Sequence, residues 1–302
     1  MRPATPSISV VIPTYNYATL LPRAVESVYS QLAGRHELIV IDDGSTDSTP
    51  EVVAELSRRY TDGARFIRKS NGGLSSVRNL GIKEGRGAFL VFLDADDELL
   101  PGALQKIDGH LAQYPQSRFV IGGHIAQTTD GRQRKHLPSV LPESPLARVR
   151  SYLLDKKIAI SNGACVMHRE IFARVSYPEA FRSSEDIPVF CQALANVPCS
   201  VLAEPLTIIH KHDDSLRHQI GYAKAVGLKI VDETFRPERL GPEFQDLKAE
   251  FELQRCLSLF RTAYLGQDRE MAKEYFRLAL QRDWRVLFKL SYARKALRLW
   301  LA

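Results

Sequence analysis

The sequence predicts an α/β protein: a mostly parallel sheet with helices on both faces, followed by a helical C-terminal extension. Two observations carry this. Over the first 122 residues, short β-branched runs alternate with stretches whose apolar residues recur at helical spacing. The first four strand-like runs also each end in a polar, turn-forming cluster. Such alternation builds parallel strands joined by right-handed crossovers. In sheets of this kind ligands collect beyond the carboxyl ends of the strands, so four polar clusters on one edge point to a shared site.

Residues 9–12 form a short β-branched run, and Leu20, Ala24, Val28 and Leu32 then give one helical face. Residues 37–41 are the next strand. Thr49 is a good N-cap, Pro50 suits the first helical position, and Val52, Val53 and Leu56 supply an apolar stripe. A weaker strand over 65–68 precedes a helix over about 74–84. A strand over 88–93, a helix over 102–114 and a strand over 118–122 complete the alternation. Residues 123–146 are polar and hold three prolines, which reads as a weak strand and a variable loop. Residues 148–220 mix helix with strand-like runs at 163–168 and 200–212. From 221 onward the pattern is helical, with a hairpin turn at Gly266, Gln267 and Asp268.

The fourth cluster is the most informative. The apolar run Phe89-Leu90-Val91-Phe92-Leu93 stops at Asp94-Ala95-Asp96-Asp97. A buried strand here delivers acids to the sheet edge, and residues two apart share a face, so Asp94 and Asp96 can converge. Two carboxylates at close range repel unless a cation lies between them. Oxygen ligands of this kind suit Mg²⁺ or Mn²⁺, and those ions suit phosphate oxygens. The alternative is that Asp96 or Asp97 caps the following helix. Gly72 and Gly73 allow close backbone approach to a ligand. They form neither GxGxxG nor GxxxxGK[ST], which disfavours dinucleotide and P-loop sites.

Composition narrows the class. An apolar share of 44% with 25% charged residues is that of a soluble globular protein. The apolar run over 8–12 is too short for a signal peptide and is broken by Pro13. No run reaches the roughly 18 apolar residues that span a bilayer. Cys165, Cys191, Cys199 and Cys256 show no CxxC pair, as expected of free thiols in a reducing compartment. A cytoplasmic protein is expected, peripheral on the inner face of the membrane if its tail binds lipid. The net charge of +6 is uneven: residues 285–302 hold five basic side chains and no acid, which favours an anionic partner there.

Five stretches occur in order: VVIPTYN (10–16), ELIVIDDGSTDST (37–49), NGGLSSVRNLGI (71–82), FLVFLDADDELLP (89–101) and SSEDIPVF (183–190). Together they resemble the inverting nucleotide-sugar glycosyltransferases with the GT-A fold, of the glycosyltransferase family 2 type. The resemblance covers about residues 7–217. It implies a GT-A domain over 1–220, with a nucleotide-binding half to about 122 and an acceptor half over about 123–220, and a helical region over 221–302. It implies Mn²⁺- or Mg²⁺-dependent transfer of a hexosyl or N-acetylhexosaminyl group from a nucleotide-diphosphate sugar, a UDP-sugar above all. The implied acceptor is a saccharide or lipid-linked molecule in bacterial cell-surface polysaccharide or lipopolysaccharide biosynthesis. No nucleic-acid partner is expected.

By the same resemblance Pro13, Tyr15, Asn16 and Asp43 hold base and ribose, and Asn71 and Gly72 belong to the same donor site. Arg78 reaches the diphosphate or base, and Asp94 contacts ribose or a metal-bound water. Asp96 binds the metal, with Asp97 a second candidate ligand. Glu185-Asp186 matches the family's acidic base motif. Inversion at the anomeric carbon requires a carboxylate opposite the leaving group to take the acceptor's proton. Asp186 is assigned that role, with Glu185 as the alternative. Residues 209–217 are similar to a family pattern of Arg-x-His-x-x-Ser-x-Ser, with His210 in place of the Arg and Arg217 in place of the second Ser. His212 is there a further candidate metal or diphosphate ligand.

Two other classes stay open at this level. A sugar-phosphate nucleotidyltransferase also uses an acidic metal pair on an α/β sheet, although Pro13-Thr14-Tyr15-Asn16 is a poor substitute for its Gly-rich basic loop. A non-catalytic nucleotide-sugar-binding module would not require Asp186. In the tail, Arg285, Lys289, Tyr292, Lys295 and Arg298 fall three or four apart, one narrow stripe on a helix otherwise made of Leu, Val, Phe, Trp and Ala. Such a helix either lies in a membrane interface, anchored by Trp284 and Trp300, or packs its apolar face on the preceding hairpin or a second subunit.

Overall fold

The computed structural model describes residues 7–211 and 220–301. Among the described residues nine strands form one sheet. They are β1 (Ile8–Thr14), β2 (His36–Asp42), β3 (Ala64–Arg68), β4 (Phe89–Phe92), β5 (Glu98–Leu99), β6 (Phe119–Gln127), β7 (Gln133–His136), β8 (Cys165–His168) and β9 (Cys199–His210). The order is β3-β2-β1-β4-β8-β6-β9-β5, with β7 paired to β6. The first four of these run parallel, as expected of strands joined by helical crossovers. β8 enters antiparallel between β4 and β6. β6 continues to Gln127, past the predicted end at 122, and turns through residues 128–132 into an antiparallel hairpin with β7. That link is too short for a crossover.

Every residue of β1 and β2 is buried, as befits strands covered on both faces. Alternation splits their side chains between two layers. Val10, Ile12, Leu38 and Val40 pack with α1 (Leu21–Tyr29), α2 (Thr49–Arg59) and α4 (Ala103–Gln113). Val11, Ile39 and Ile41 face α3 (Leu74–Glu84), α5 (Pro145–Leu153) and α6 (Asp186–Asn196). Thr49, read as an N-cap, is the first helical residue, and its N–H donates to Asp47 Oδ1 at 2.9 Å.

The chain continues through α7 (Ile220–Val226), α8 (Lys229–Thr234) and α9 (Lys248–Leu265). Ile230, Val231, Phe235, Phe244 and Phe251 join the same apolar core as the sheet. Arg239, fully buried, ties this region to α6 by donating to Gln192 Oε1 at 2.9 Å while pairing with Glu233 at 2.7 Å. Cys256 and buried residues after it form a second core, against which Ala223, Leu228 and Leu253 also pack. α9 and α10 (Arg269–Arg282) form the expected hairpin.

The tail departs from the single helix that its spacing predicts. Asp283 Oδ1 accepts from the Arg285 N–H at 2.9 Å, a local cap that starts a 3-10 turn over Trp284–Phe288. α11 (Leu290–Leu301) begins only after Lys289. Arg285 and Lys289 are therefore off the helix that carries Lys295 and Arg298, and the stripe is broken. Tyr292 turns inward, its ring 6.0 Å from that of Phe260. Among the described residues no helix is long and apolar enough to cross a membrane.

Candidate active site

The loops beyond β1, β2 and β3 interlock. Pro13 sits in β1 two residues past the last β4 pairing, at Val11, on the side where its missing N–H has no strand to meet. Tyr15 is exposed and Asn16 is left-handed (φ 59°). The Asn16 N–H donates to Ser45 Oγ at 2.9 Å, and its Oδ1 accepts from the Thr46 N–H at 2.8 Å. Asp43 is 3% exposed. Its Oδ1 accepts from Lys69 Nζ at 2.6 Å and the Gly72 N–H at 3.0 Å, and its Oδ2 from the Gly73 N–H at 2.7 Å. Asn71 Nδ2 donates to the Asp43 carbonyl at 3.0 Å. Both oxygens of Asp43 therefore organise the glycine loop. Gly44 (φ +72°) must be glycine: a Cβ would also lie 2.8 Å from the Asn71 nitrogen.

Arg78, expected to reach the donor, lies beneath the acids. It is 2% exposed, with Nη1 2.6 Å from Glu185 Oε1 and Nη2 3.3 Å from Asp94 Oδ1. Its guanidinium sits 5.3 Å from the centre of the Tyr177 ring. Burial works against its charge, but Glu185 and Asp94 more than offset that and hold it above its ordinary pKa. The ion pair falls to Glu185, itself buried, while Asp186 opens α6 one residue later. Burial, with the neighbouring Glu185 charge, pushes the Asp186 carboxyl up to about 6. Ser184 just before them is left-handed (φ 60°), a backbone state that costs energy outside glycine.

Asp94, Asp96 and Asp97 each offer an oxygen within 4.8 Å of the others. Ala95 between them is buried, inside a tight turn that the Asp97 N–H closes by donating to the Asp94 carbonyl at 3.0 Å. Burial and then the charges of Asp94 and Asp96 push Asp97 up to about 8. Its low-polarity surroundings also raise Asp94, against the pull of Arg78 and with the push of Asp96. The Asp94 side chain is still 44% exposed, so solvent screens it more than its depth among protein atoms implies. Three hard oxygen donors that repel one another fit Mg²⁺ or Mn²⁺.

Of the residues that hold this loop, the sequence singles out His210 but neither Arg23 nor Glu98. Arg23, on α1, donates from Nη2 to the Asp96 carbonyl at 2.6 Å and pairs through Nε with Glu98 at 3.2 Å. Glu98 also meets His210 Nε2 at 2.7 Å, and the His210 N–H donates to Asp97 Oδ1 at 3.0 Å. Lys69 is likewise unflagged. Arg23 is distant in sequence from its partners, and Arg23 and Lys69 are ordinary in type, so no local signal marks them. His212 lies outside the described residues.

Residues 9–176, more than half of the chain, match glycosyl transferase family 2. The chain belongs to that family. Among its relatives this family 2 protein is 27% identical to EpsJ of Bacillus subtilis strain 168, described as an uncharacterized glycosyltransferase, over 230 residues (73% of this chain, 65% of EpsJ). It is 35% identical to the minor teichoic acid biosynthesis protein GgaB of that organism over 101 residues (33% of this chain, 11% of GgaB). The chain spans under two thirds of the length of the first curated relatives it matches: 65%, 46% and 38%. The structure of S. aureus TarS 1–349 in complex with UDP-GlcNAc superposes with a TM-score of 0.67 at 20% identity, covering 91% of this chain and 81% of that one. The mannosyltransferase PcManGT from Pyrobaculum calidifontis, in complex with GDP-Man and Mn²⁺, gives 0.54 at 15% identity, covering 95% and 87%. At these identities the likeness is one of fold, and that fold is GT-A.

Proposed function

We propose that this protein transfers a sugar, with inversion, from a nucleotide-diphosphate donor to a saccharide or lipid-linked acceptor of a bacterial surface glycopolymer. One observation carries the reading: the acid cluster after β4 and the acidic pair opening α6 meet at a single buried cation, Arg78. Family membership supports the reaction class. TarS in complex with UDP-GlcNAc, and GgaB in teichoic acid biosynthesis, support a UDP-sugar and a surface polymer.

In this reading the interlocked loops at 13–16, 43–47 and 69–73 bind the nucleoside, with Tyr15 exposed to pack on a base. Asp96 and Asp97 would hold the cation, with Asp94 beside them. When bound, Mn²⁺ or Mg²⁺ supplies charge neutralisation for the leaving nucleoside diphosphate. Asp186 takes the proton of the acceptor hydroxyl. The hydroxyl oxygen then bonds to the anomeric carbon as the bond to the diphosphate breaks on the opposite face, its electron pair leaving with the diphosphate. A carboxyl titrating near 6 is ionised at neutral pH yet basic enough to accept that proton. Glu185, held in its ion pair with Arg78, shapes the site without competing for the role.

The test is release of the leaving nucleotide, a nucleoside diphosphate from UDP-, GDP- and TDP-sugars and CMP from CMP-sugars, with Mn²⁺ or Mg²⁺ and saccharide or lipid-linked acceptors. Acceptor-stimulated release from one donor is expected. Failure of every donor both to turn over and to raise the melting temperature would overturn the reading.

A further inference from the structure

The C-terminal segment has two faces, and only one of them is accounted for by the protein. Val286, Ala296 and Leu299 are buried against the α9–α10 hairpin, and Arg269 Nη2 fixes the end of α11 by donating to the Leu299 carbonyl at 3.0 Å. The other face carries Trp284, Leu287, Phe288, Leu290 and Leu297, between 51% and 70% exposed, and Trp300, 46% exposed, flanks it with its ring 5.8 Å from that of Phe276. These are six of the twelve large exposed apolar side chains among the described residues, so they form a cluster and not the usual scatter. Leu290 and Leu297, seven residues apart, share one side of α11. The Trp284 and Phe288 rings meet edge to face at 5.6 Å.

The charge around this face selects its occupant. Lys289, Arg294 and Arg298 are exposed beside it, and residues 284–302 contain no acid. A two-fold contact between copies of this chain would bring the same basic residues against each other. An anionic lipid surface meets both needs: headgroups take the positive charge, and tryptophan, phenylalanine and leucine enter the boundary with the acyl chains. We propose that the outer face of residues 284–301 docks this protein on an anionic membrane surface, without a spanning helix. The proposal goes beyond the transferase reading and does not depend on the donor chemistry.

Flotation of the full-length protein with phosphatidylcholine vesicles, with and without phosphatidylglycerol, tests it at low and high salt. Beside the wild type stand an apolar variant, Leu287→Ser/Phe288→Ser/Leu297→Ser, and a charge variant, Arg294→Gln/Arg298→Gln. All these side chains are exposed, so melting temperature and donor turnover should not change. The wild type is expected to float with phosphatidylglycerol vesicles, less so at high salt. The charge variant should bind about thirtyfold more weakly at low salt, and the apolar variant should not float at either salt. No flotation of the wild type at low salt overturns the proposal, as does flotation that neither variant weakens. A dimer that the apolar variant turns into a monomer, with no vesicle binding by either, overturns it in favour of a second copy. Donor turnover is read in the same samples, so an inactive protein that still floats separates this proposal from the transferase reading.

Discussion

Arg78 Nη1 and Glu185 Oε1 sit 2.6 Å apart although 107 residues separate them in the chain. Both side chains are buried, so the pair fastens the acidic loop before α6 to α3 from inside the protein. Removing one partner of such a pair leaves the other charged and desolvated. Arg78→Ala should therefore destabilise the fold by about 3–5 kcal/mol, read as a fall in the denaturant midpoint. Arg78→Met/Glu185→Leu should recover part of that loss. An unchanged midpoint for Arg78→Ala would show that the pair does not hold the loop.

As the proposed base, Asp186 should set the pH dependence of transfer. A general base works only when ionised, and burial with the Glu185 charge places its titration at about 6. The rate should be flat above that value and fall about tenfold per pH unit below it. Asp186→Asn should keep donor affinity and lose transfer by about a hundred- to ten-thousandfold. Retention of transfer by Asp186→Asn, or a larger loss with Glu185→Gln, reassigns the base.

The acid cluster should respond to divalent cations in a pH-dependent way. Asp97 titrates at about 8, above the ordinary 3.8 it regains on unfolding. Between those values the folded state holds a proton that the unfolded chain gives up, so stability drains away as pH rises through the window. A cation replaces that proton. Mn²⁺ should raise the melting temperature, and by more at pH 8 than at pH 5. Asp96→Ala should shrink both shifts and lower turnover by orders of magnitude. Equal shifts at the two pH values would detach Asp97 from the cation.

Asp43 acts through the glycine loop. Asp43→Ala strips an acceptor from the Gly72 and Gly73 N–H groups and from Lys69. Amide exchange at residues 70–73 should quicken and UDP binding weaken, with the rest of the sheet as protected as before. Unaltered exchange in that loop would leave Asp43 a nucleoside contact alone.

The strand ends were legible because each strand is an apolar run cut off by turn residues, a contrast that local sequence carries. The cluster Asp94-Ala95-Asp96-Asp97 was legible for the same reason, with Ala95 turned inward between acids. The sequence singles out Arg78, but nothing local in it shows that Arg78 is buried. That depends on Glu185 and Tyr177 arriving from far along the chain. The part Arg23 plays in the brace with Glu98 and His210 was hidden because an Arg on an amphipathic helix looks like any surface Arg. The break in the tail was hidden because the helical spacing runs on through Asp283 and Lys289, while a local cap at Asp283 outweighs it.

α9 passes from the core of the sheet at Phe251 to the C-terminal core at Cys256 without a break. At 18 residues it is a rod about 27 Å long. A rod shared by two cores transmits angle as well as distance: the heading of the tail relative to the catalytic edge is fixed by helical phase. One residue inserted between Phe251 and Cys256 would swing the tail by about 100°, whereas seven would nearly restore its bearing while moving it some 10 Å outward. The length of that segment is therefore a gauge, setting which way the catalytic edge points from whatever the tail rests on.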